Sequence, residues 1–304
     1  MDFLLEAIEV FTYRILPILL VIGLGVLMGR LYYLDIGTLS KINLHVLVPA
    51  LVFSRLIRVP LSGAELFWIA AAVILNSFLL CLLMFVMTLN LRKEPATRMA
   101  AVVGATWGNS GNFGLPVMEL MFGSLGAGVQ AVVHAVTNVL AFSFGFYLLG
   151  LSQRPSFESA KMVLHMPSLY AAGLAIAFRA VNFLPPSPIM ISIDYLAGGL
   201  IPIALLILGL QLSQEHTLPH IYHLTVATLV RLILGPAVMA GIVLFLPISR
   251  QISPILIVGA GVPAAVNSVA LAIEAGSDAA FCAALVMTTT LLAPLTIAIV
   301  KVLV

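Results

Sequence analysis

The residues most able to do chemistry lie in one short stretch, GNSGNFGLP, which covers residues 108–116. This stretch combines two carboxamides, a hydroxyl group, three glycines and a proline inside a strongly apolar region. Carboxamides and hydroxyls can donate hydrogen bonds to a bound molecule. The letters GNSG also match the Gly-x-Ser-Gly pattern around the nucleophile of membrane serine proteases. Two hypotheses follow. Either these uncharged groups bind a ligand through hydrogen bonds, or Ser110 acts as a catalytic nucleophile.

Catalysis by Ser110 requires a histidine base on a neighbouring helix, usually with glycine packed beside it. His134 is followed by AVTNVL, which lacks such a glycine pattern. The histidines and cysteines do not have the spacing of metal ligands. The glycines of this stretch are spaced Gly-x-x-Gly-x-x-Gly without a lysine, which does not fit a nucleotide-binding loop. We therefore expect a protein that is not an enzyme and has no metal or cofactor, with a serine hydrolase as an alternative.

The composition is that of an integral membrane protein. Of 304 residues, 62% are hydrophobic and only 9% are charged, and the mean hydropathy is +1.18. Soluble domains carry about a quarter charged residues, so a soluble chain of this composition could not cover its own surface. The formal charge of +2, without a run of lysines and arginines, argues against a nucleic-acid partner.

Apolar windows recur along the whole chain at the length of a membrane-spanning helix, which is about 20 residues. The pattern predicts an all-α integral membrane protein with ten transmembrane helices, since outer-membrane strands would alternate apolar and polar residues. The predicted spans are 12–31, 38–58, 64–91, 98–122, 126–151, 161–180, 190–212, 219–246, 252–274 and 278–303.

Prolines indicate an internal repeat. Pro17 and Pro167 are 150 residues apart, Pro49 and Pro202 are 153 apart, and Pro116 and Pro263 are 147 apart. Each pair falls in corresponding spans of two five-span halves. Because five is an odd number, the second half would enter the membrane inverted, which is the arrangement typical of secondary transporters.

Spans 4 and 9 are interrupted by polar, glycine-rich and proline-containing segments at 108–116 and 259–268. A freed backbone group in hydrocarbon is costly unless protein or a wet cavity satisfies it. In an inverted repeat the two breaks should cross near the midplane and bring together two half-helix N-termini, which we expect near Leu115 and Val262. Such termini carry partial positive charge and free N–H donors, so they favour an anion.

Asparagines near the breaks could add neutral donors and acceptors to an anion site. The candidates are Asn109 and Asn112 from the first break, Asn267 from the second and Asn138 from span 5. At both breaks, the alternative interpretation is that these asparagines cap the broken helix ends.

Two charged residues are further candidates. Arg231 lies midway along span 8, where a charge is costly and often functional; it could contact a substrate carboxylate or serve a structural pairing, and the sequence leaves both open. Glu119 follows Pro116 by one turn, which allows a coupling-ion or proton role or a structural pairing with the helix dipole.

Five motifs, in this order along the chain, resemble the auxin efflux carrier family, which includes plant auxin exporters and bacterial permeases for malate, malonate and similar acids. They are VPALVF, NSGNFGLP, LIPIALLILGLQL, RLILGPAVMAG and VPAAVNSVALAIEAGSD, the last followed by TTTLLAPLT. The resemblance carries Asn109, Gly111, Gly114 and Pro116 onto the first crossover motif of that family, and Pro263 onto the second.

The resemblance implies two inverted five-helix repeats, residues 1–153 and 154–304, with crossing broken helices in spans 4 and 9. Spans 1, 2, 6 and 7 would form a scaffold, and spans 3–5 and 8–10 a mobile crossover domain that moves its substrate by an elevator-like shift. Similar proteins often form dimers, so the resemblance also implies a homodimer through the scaffold.

The link between the halves is only SQRPSFESAK, where plant members carry a long insert. This favours a compact multi-pass permease of the bacterial inner membrane. We predict a secondary transporter of a small organic anion, a mono- or dicarboxylate that is malate/malonate- or auxin-like. The alternatives are a sodium-coupled carrier of the bile-acid-symporter type and the Ser110 hydrolase.

Overall fold

The computed structural model of the chain describes residues 9, 11–32, 34–91, 94–151, 166–213 and 220–304. Within these ranges the chain is built from helices, and its one extended pairing is an isolated antiparallel bridge between Gly108 and Ala264. The predicted division near residue 153 lies outside the described residues.

The described residues form eleven main helices, numbered in chain order. They are α1 (Leu16–Leu31, after a π-helical turn at Phe11–Ile15), α2 (Ile36–Arg58), α3 (Gly63–Met87), α4 (Pro95–Thr106), α5 (Ser110–Gly150), α6 (Pro167–Ala180), α7 (Ser187–Leu212), α8 (Ile221–Phe245), α9 (Ser253–Gly259), α10 (Asn267–Glu274) and α11 (Ala279–Leu303).

Six of these helices are long and apolar enough to cross a membrane, namely α2, α3, α5, α7, α8 and α11. The all-helical membrane fold is therefore confirmed. Helix α5 contains the second part of predicted span 4 and nearly all of predicted span 5, and Gly123, with φ 63° and ψ −152°, turns the chain between them. Only glycine adopts such a backbone without strain. The count of ten membrane crossings stays a prediction.

The helices form two contacting groups. Helix α1 packs on α7, and α2 packs on both α6 and α7. In the second group, α3 packs on α4, α5 and α8, while α11 packs on α4 and α10.

Side-chain caps fix the starts of two helices. Asp35 accepts from the N–H groups of Gly37 and Thr38 at the start of α2, and Ser62 and Glu65 form a capping box on α3.

Of the half-helix starts predicted near Leu115 and Val262, the first is confirmed and the second is wrong. The α-helical part of α5 begins at Leu115, and the π-helical turn Ser110–Gly114 precedes it, capped by the Asn109 side chain, which accepts from the N–H of Asn112. The second begins at Asn267, because the backbone before it is pairing with other segments: Ala265 N–H donates to Trp107 O over 3.1 Å, and Ala264 N–H donates to Thr289 Oγ1 over 3.0 Å.

The crossing of α1 and α7 depends on two facing glycines. A Cβ on Gly25 would lie 2.5 Å from Leu206 O and 3.0 Å from the Cα of Gly209. A Cβ on Gly209 would overlap Ile22 O and lie 2.7 Å from the Cα of Gly25. Close backbone contact of this kind is how small residues hold membrane helices together.

We expect Gly209→Val to lower the free energy of unfolding by about 2 kcal/mol or more, because the added carbons must push two backbones apart. The matched control is Gly198→Val on the same helix, where an added Cβ meets no atom within 4 Å. Thermal unfolding of both variants in detergent checks this, and equal melting temperatures for the two would contradict it.

Candidate functional site

The two interrupted helices cross at their breaks and bond to each other through the backbone. Asn109 N–H donates to Pro263 O over 2.7 Å, and Ala265 N–H donates to Trp107 O over 3.1 Å. These bonds satisfy groups that the breaks leave without helical partners, which is what burial in a membrane requires. The bridge therefore holds four helix ends in one place: the C-terminal ends of α4 and α9 and the N-terminal ends of α5 and α10.

Arg231 joins the two C-terminal ends. Its Nη1 donates to Thr106 O over 2.7 Å and to Ala105 O over 3.4 Å, and its Nη2 donates to Ala260 O. The residue is 3% exposed. Helix C-termini carry partial negative charge and unsatisfied carbonyls, so the guanidinium compensates two ends at once, and its planar fork suits this bridging.

The two N-terminal ends open onto a different cavity, which we call the amide cavity. It encloses about 540 Å³ of space including its open side. Its lining is rich in carboxamides, and the described residues that form it include no Asp, Glu, Lys or Arg. The lining residues are Ser40, Asn43, Leu44, Val48, Gly108, Asn109, Ser110, Gly111, Asn112, His134, Asn138, Gln211, Ala265, Val266 and Asn267.

The asparagines of the amide cavity have unused hydrogen-bonding capacity. Asn43 Nδ2 donates to Asn112 Oδ1 over 2.8 Å, and Asn109 Oδ1 accepts from the N–H of Asn112 over 3.1 Å. Asn109 is 6% exposed, and its Nδ2 has no hydrogen-bond partner among the described residues. A buried donor without a partner costs free energy, so the cavity is prepared to give a hydrogen bond to a ligand.

Ser110 and His134 are in contact, although the sequence pattern around His134 argued against a serine–histidine pair. Ser110 Oγ lies 3.0 Å from His134 Nδ1, and Asn138 Nδ2 lies 2.9 Å from His134 Nε2. With Asn138 as the donor, Nε2 accepts and the ring proton is on Nδ1. His134 then donates to Ser110, so in this arrangement it holds the serine in place and is not its base.

The glycines of the first break allow close approach of other groups to this helix end. A Cβ on Gly108 would lie 2.6 Å from Val262 Cγ2, and one on Gly111 would lie 2.7 Å from His134 Cε1. A Cβ on Gly114 would overlap Gln130 Nε2, the group that donates to Ser110 O over 3.0 Å. Side chains here would displace the second break, His134 and Gln130.

The structure brings five of the predicted site residues together in the amide cavity, namely Asn109, Gly111, Asn112, Asn138 and Asn267. The other predicted residues do not line it. Gly114 and Pro116 lie behind it in α5, Pro263 contributes its carbonyl to the bridge, and Arg231 lines a separate cavity of about 410 Å³ with Asn76 and Thr137.

Glu119 also lies away from the amide cavity. Its carboxylate forms an ion pair with Arg55 of α2, and both side chains are partly buried. The sequence left open a structural pairing of Glu119 with the helix dipole. In the structure Glu119 has a structural partner, and that partner is the Arg55 guanidinium and not the dipole alone.

Sequence reasoning missed the wall of the amide cavity that α2 and α7 supply. Ser40 and Asn43 come from α2 and Gln211 comes from α7. The available signal was a polar side chain inside an apolar window, which marks Asn43 and Gln211 as strongly as it marks Asn138.

Comparison with known proteins gives the family. A family model described as "Membrane transport protein" matches residues 10–162 and 158–300. The chain belongs to this family, the auxin efflux carrier family. It is a multi-pass membrane protein of transporter type.

Two relatives span most of the chain. A protein of Methanothermobacter thermautotrophicus described as "Uncharacterized transporter" is 27% identical over 293 residues, which are 92% of this chain and 94% of that protein. A protein of Rhizobium meliloti described as "Putative malonate transporter" is 26% identical over 214 residues, which are 66% of this chain and 67% of that protein.

We expect Arg231→Met to lower the free energy of unfolding by about 3 kcal/mol or more, since three buried carbonyls lose their donor at about 1 kcal/mol or more each. Arg250→Met, at an exposed turn position, is the control and should be nearly neutral. Denaturant unfolding in detergent measures both. A stable Arg231→Met protein that had lost only substrate binding would instead show that the guanidinium contacts the substrate.

Proposed function

We propose that this protein is a secondary transporter of a small organic anion, with the anionic group held in the amide cavity at the crossing of the two broken helices. The observation that carries this proposal is the common opening of two helix N-termini, at Ser110 and Asn267, onto one cavity. Each terminus is equivalent to about half a positive charge, so together they balance about one carboxylate.

The chemistry of the remaining lining supports an organic anion. The carboxamides and the Ser110 hydroxyl are neutral donors that can surround carboxylate oxygens, and no acidic side chain opposes the anion. The Rhizobium meliloti relative is named for malonate, a dicarboxylate. Mono- and dicarboxylates, malate/malonate- or auxin-like, are therefore the substrate class that we propose.

The mechanism that we propose is elevator-like alternating access between two inverted five-helix repeats, residues 1–153 and 154–304. Helices α1, α2, α6 and α7 form the scaffold, and the remaining helices form the moving domain. Two polar contacts cross this division: the Asn43–Asn112 hydrogen bond inside the amide cavity, and the Arg55–Glu119 ion pair, which lies away from the cavity farther along α5. Both must break and form again in each cycle. A homodimer through the scaffold is part of this proposal.

Sodium coupling of the bile-acid-symporter type has less support. A sodium site needs several oxygen ligands, often carboxylates, and within the described part of the chain neither cavity beside the crossing is lined by an acidic side chain. The guanidinium of Arg231 already places a fixed positive charge at the two C-terminal helix ends.

The decisive variant is Asn109→Asp. Aspartate caps a helix as well as asparagine does, so the fold should keep its stability, while a carboxylate in the cavity repels an anion. We expect uptake of radiolabelled malonate, malate and monocarboxylates into proteoliposomes to fall by more than about 100-fold, which corresponds to about 2.7 kcal/mol. Uptake is measured with and without sodium and proton gradients.

The control is Asn90→Asp, an exposed asparagine far from the crossing, which should transport normally. Transport of an organic cation, or anion uptake unchanged in Asn109→Asp, would contradict an anion site at this position. Unchanged melting temperatures separate lost binding from lost fold.

A second candidate function, a serine hydrolase, is favoured by the Ser110–His134 contact of 3.0 Å. With Asn138 Nδ2 as the donor to Nε2, His134 donates to Ser110 through Nδ1, and this arrangement does not supply the general base that must accept the serine proton. Ser110→Ala discriminates the two functions. We expect it to reduce anion uptake by less than about tenfold, since it removes one hydrogen bond. Ester hydrolysis by the unmodified protein that disappears in Ser110→Ala would support the hydrolase.

A further inference from the structure

A second cavity adjoins the amide cavity and has the opposite character. We call it the apolar cavity; it encloses about 560 Å³ including its open side. Val266 and Gln211 line both cavities, so the two spaces share a wall. The lining residues are Leu208, Gln211, Leu212, Val266, Val269, Ala283, Val286, Met287 and Thr290.

The apolar cavity lies between the proposed scaffold and the proposed moving domain. Leu208, Gln211 and Leu212 belong to α7, while the other lining residues come from the N-terminal part of α10, the residue before it, and α11. The same helix start, at Val266 and Asn267, thus faces anion-binding groups on one side and hydrocarbon on the other.

We propose that the apolar cavity is a binding site for the hydrocarbon part of the transported anion. The substrate is then a monocarboxylate with an apolar tail, whose carboxylate lies in the amide cavity and whose tail extends past Val266. This inference rests on the proposed function and narrows its substrate class. It distinguishes this chain from the relative that is named for malonate.

Charge supports a single carboxylate. The two helix N-termini supply about one positive charge in total, and among the residues that the structure describes neither the amide cavity nor the apolar cavity is lined by a lysine or arginine. A second carboxylate would have to enter an apolar space without a cationic partner, which is strongly unfavourable.

The apolar lining of the apolar cavity supports a substrate with a hydrocarbon tail. Seven of the nine lining residues of the apolar cavity are aliphatic or methionine, and the polar exceptions are Gln211 and Thr290. Each methylene buried there contributes about fourfold in affinity, from the transfer free energy of a CH₂ group. Adding two methylenes should therefore tighten binding about 15-fold.

Equilibrium dialysis of the purified full-length protein against radiolabelled acetate, butyrate, hexanoate and malonate tests this. We expect affinity to rise about 15-fold from acetate to butyrate and again to hexanoate, with malonate no tighter than acetate. Hexan-1-ol should not displace hexanoate at comparable concentration, because it lacks the carboxylate.

Ala283→Phe places a ring in the apolar cavity and should remove the gain from the tail while leaving acetate binding unchanged. Ala280→Phe, at an exposed position on the same helix, is the matched control and should retain the full chain-length dependence. If Ala283→Phe does not fold, Met287→Ala serves instead: by enlarging the cavity it should shift the optimum toward longer acids.

The outcomes separate this inference from the proposed function. Acetate and malonate binding without any gain from a longer tail would overturn the tail site alone. Binding of hexan-1-ol as tight as that of hexanoate would also overturn it, and would show a general apolar groove such as a lipid chain occupies. Failure of every carboxylate to bind would overturn the anion site and the tail site together.

Discussion

The antiparallel backbone bridge between Gly108 and Ala264 is the constraint on which the rest of the structure depends. Two interrupted helices inside an apolar protein leave N–H and carbonyl groups without helical partners, and hydrocarbon cannot satisfy them. The bridge satisfies some of these groups directly. It also fixes where the four helix ends point, so that charge of one sign collects on each side of the crossing. The amide cavity, the place of Arg231 and the closeness of the apolar cavity all follow from this geometry.

The two sides of the crossing are balanced in different ways. On the side of the carbonyl ends, the protein supplies its own ion, the Arg231 guanidinium, which is buried and fixed by three carbonyls. On the side of the N–H ends the described residues supply only neutral groups, and the Asn109 amide nitrogen has no partner among them. A permanent charge stabilises the fold, whereas a neutral cavity with an unsatisfied donor suits the anion exchange that we propose. The two sides of the crossing thus differ in charge within a few residues of the same break.

The contacts between α2 and α5 connect one wall of the amide cavity to the broken helix. Asn43 reaches Asn112 inside the cavity, and Arg55 reaches Glu119 farther along the same arm of α5. By contrast, Arg58 of α2 bonds to Asp194 of α7, over 2.7 and 2.8 Å. In the elevator-like mechanism that we propose, the first two contacts would break and form again, whereas the close α1–α7 crossing at Gly25 and Gly209 would stay fixed.

The amino-acid sequence by itself determined the membrane class, the helical fold, the two broken helices and the family, because apolar windows and helix breakers are local features of the chain. It also selected Asn109, Asn112, Asn138 and Asn267, which were recognisable as polar groups in apolar surroundings. Only the tertiary structure decided that Arg231 caps two helix ends, that Glu119 pairs with Arg55, that His134 holds Ser110, and that Asn43 completes the cavity. Those outcomes depend on which residues, between 24 and 126 positions apart in the chain, approach within hydrogen-bonding distance, and no local pattern carries that information.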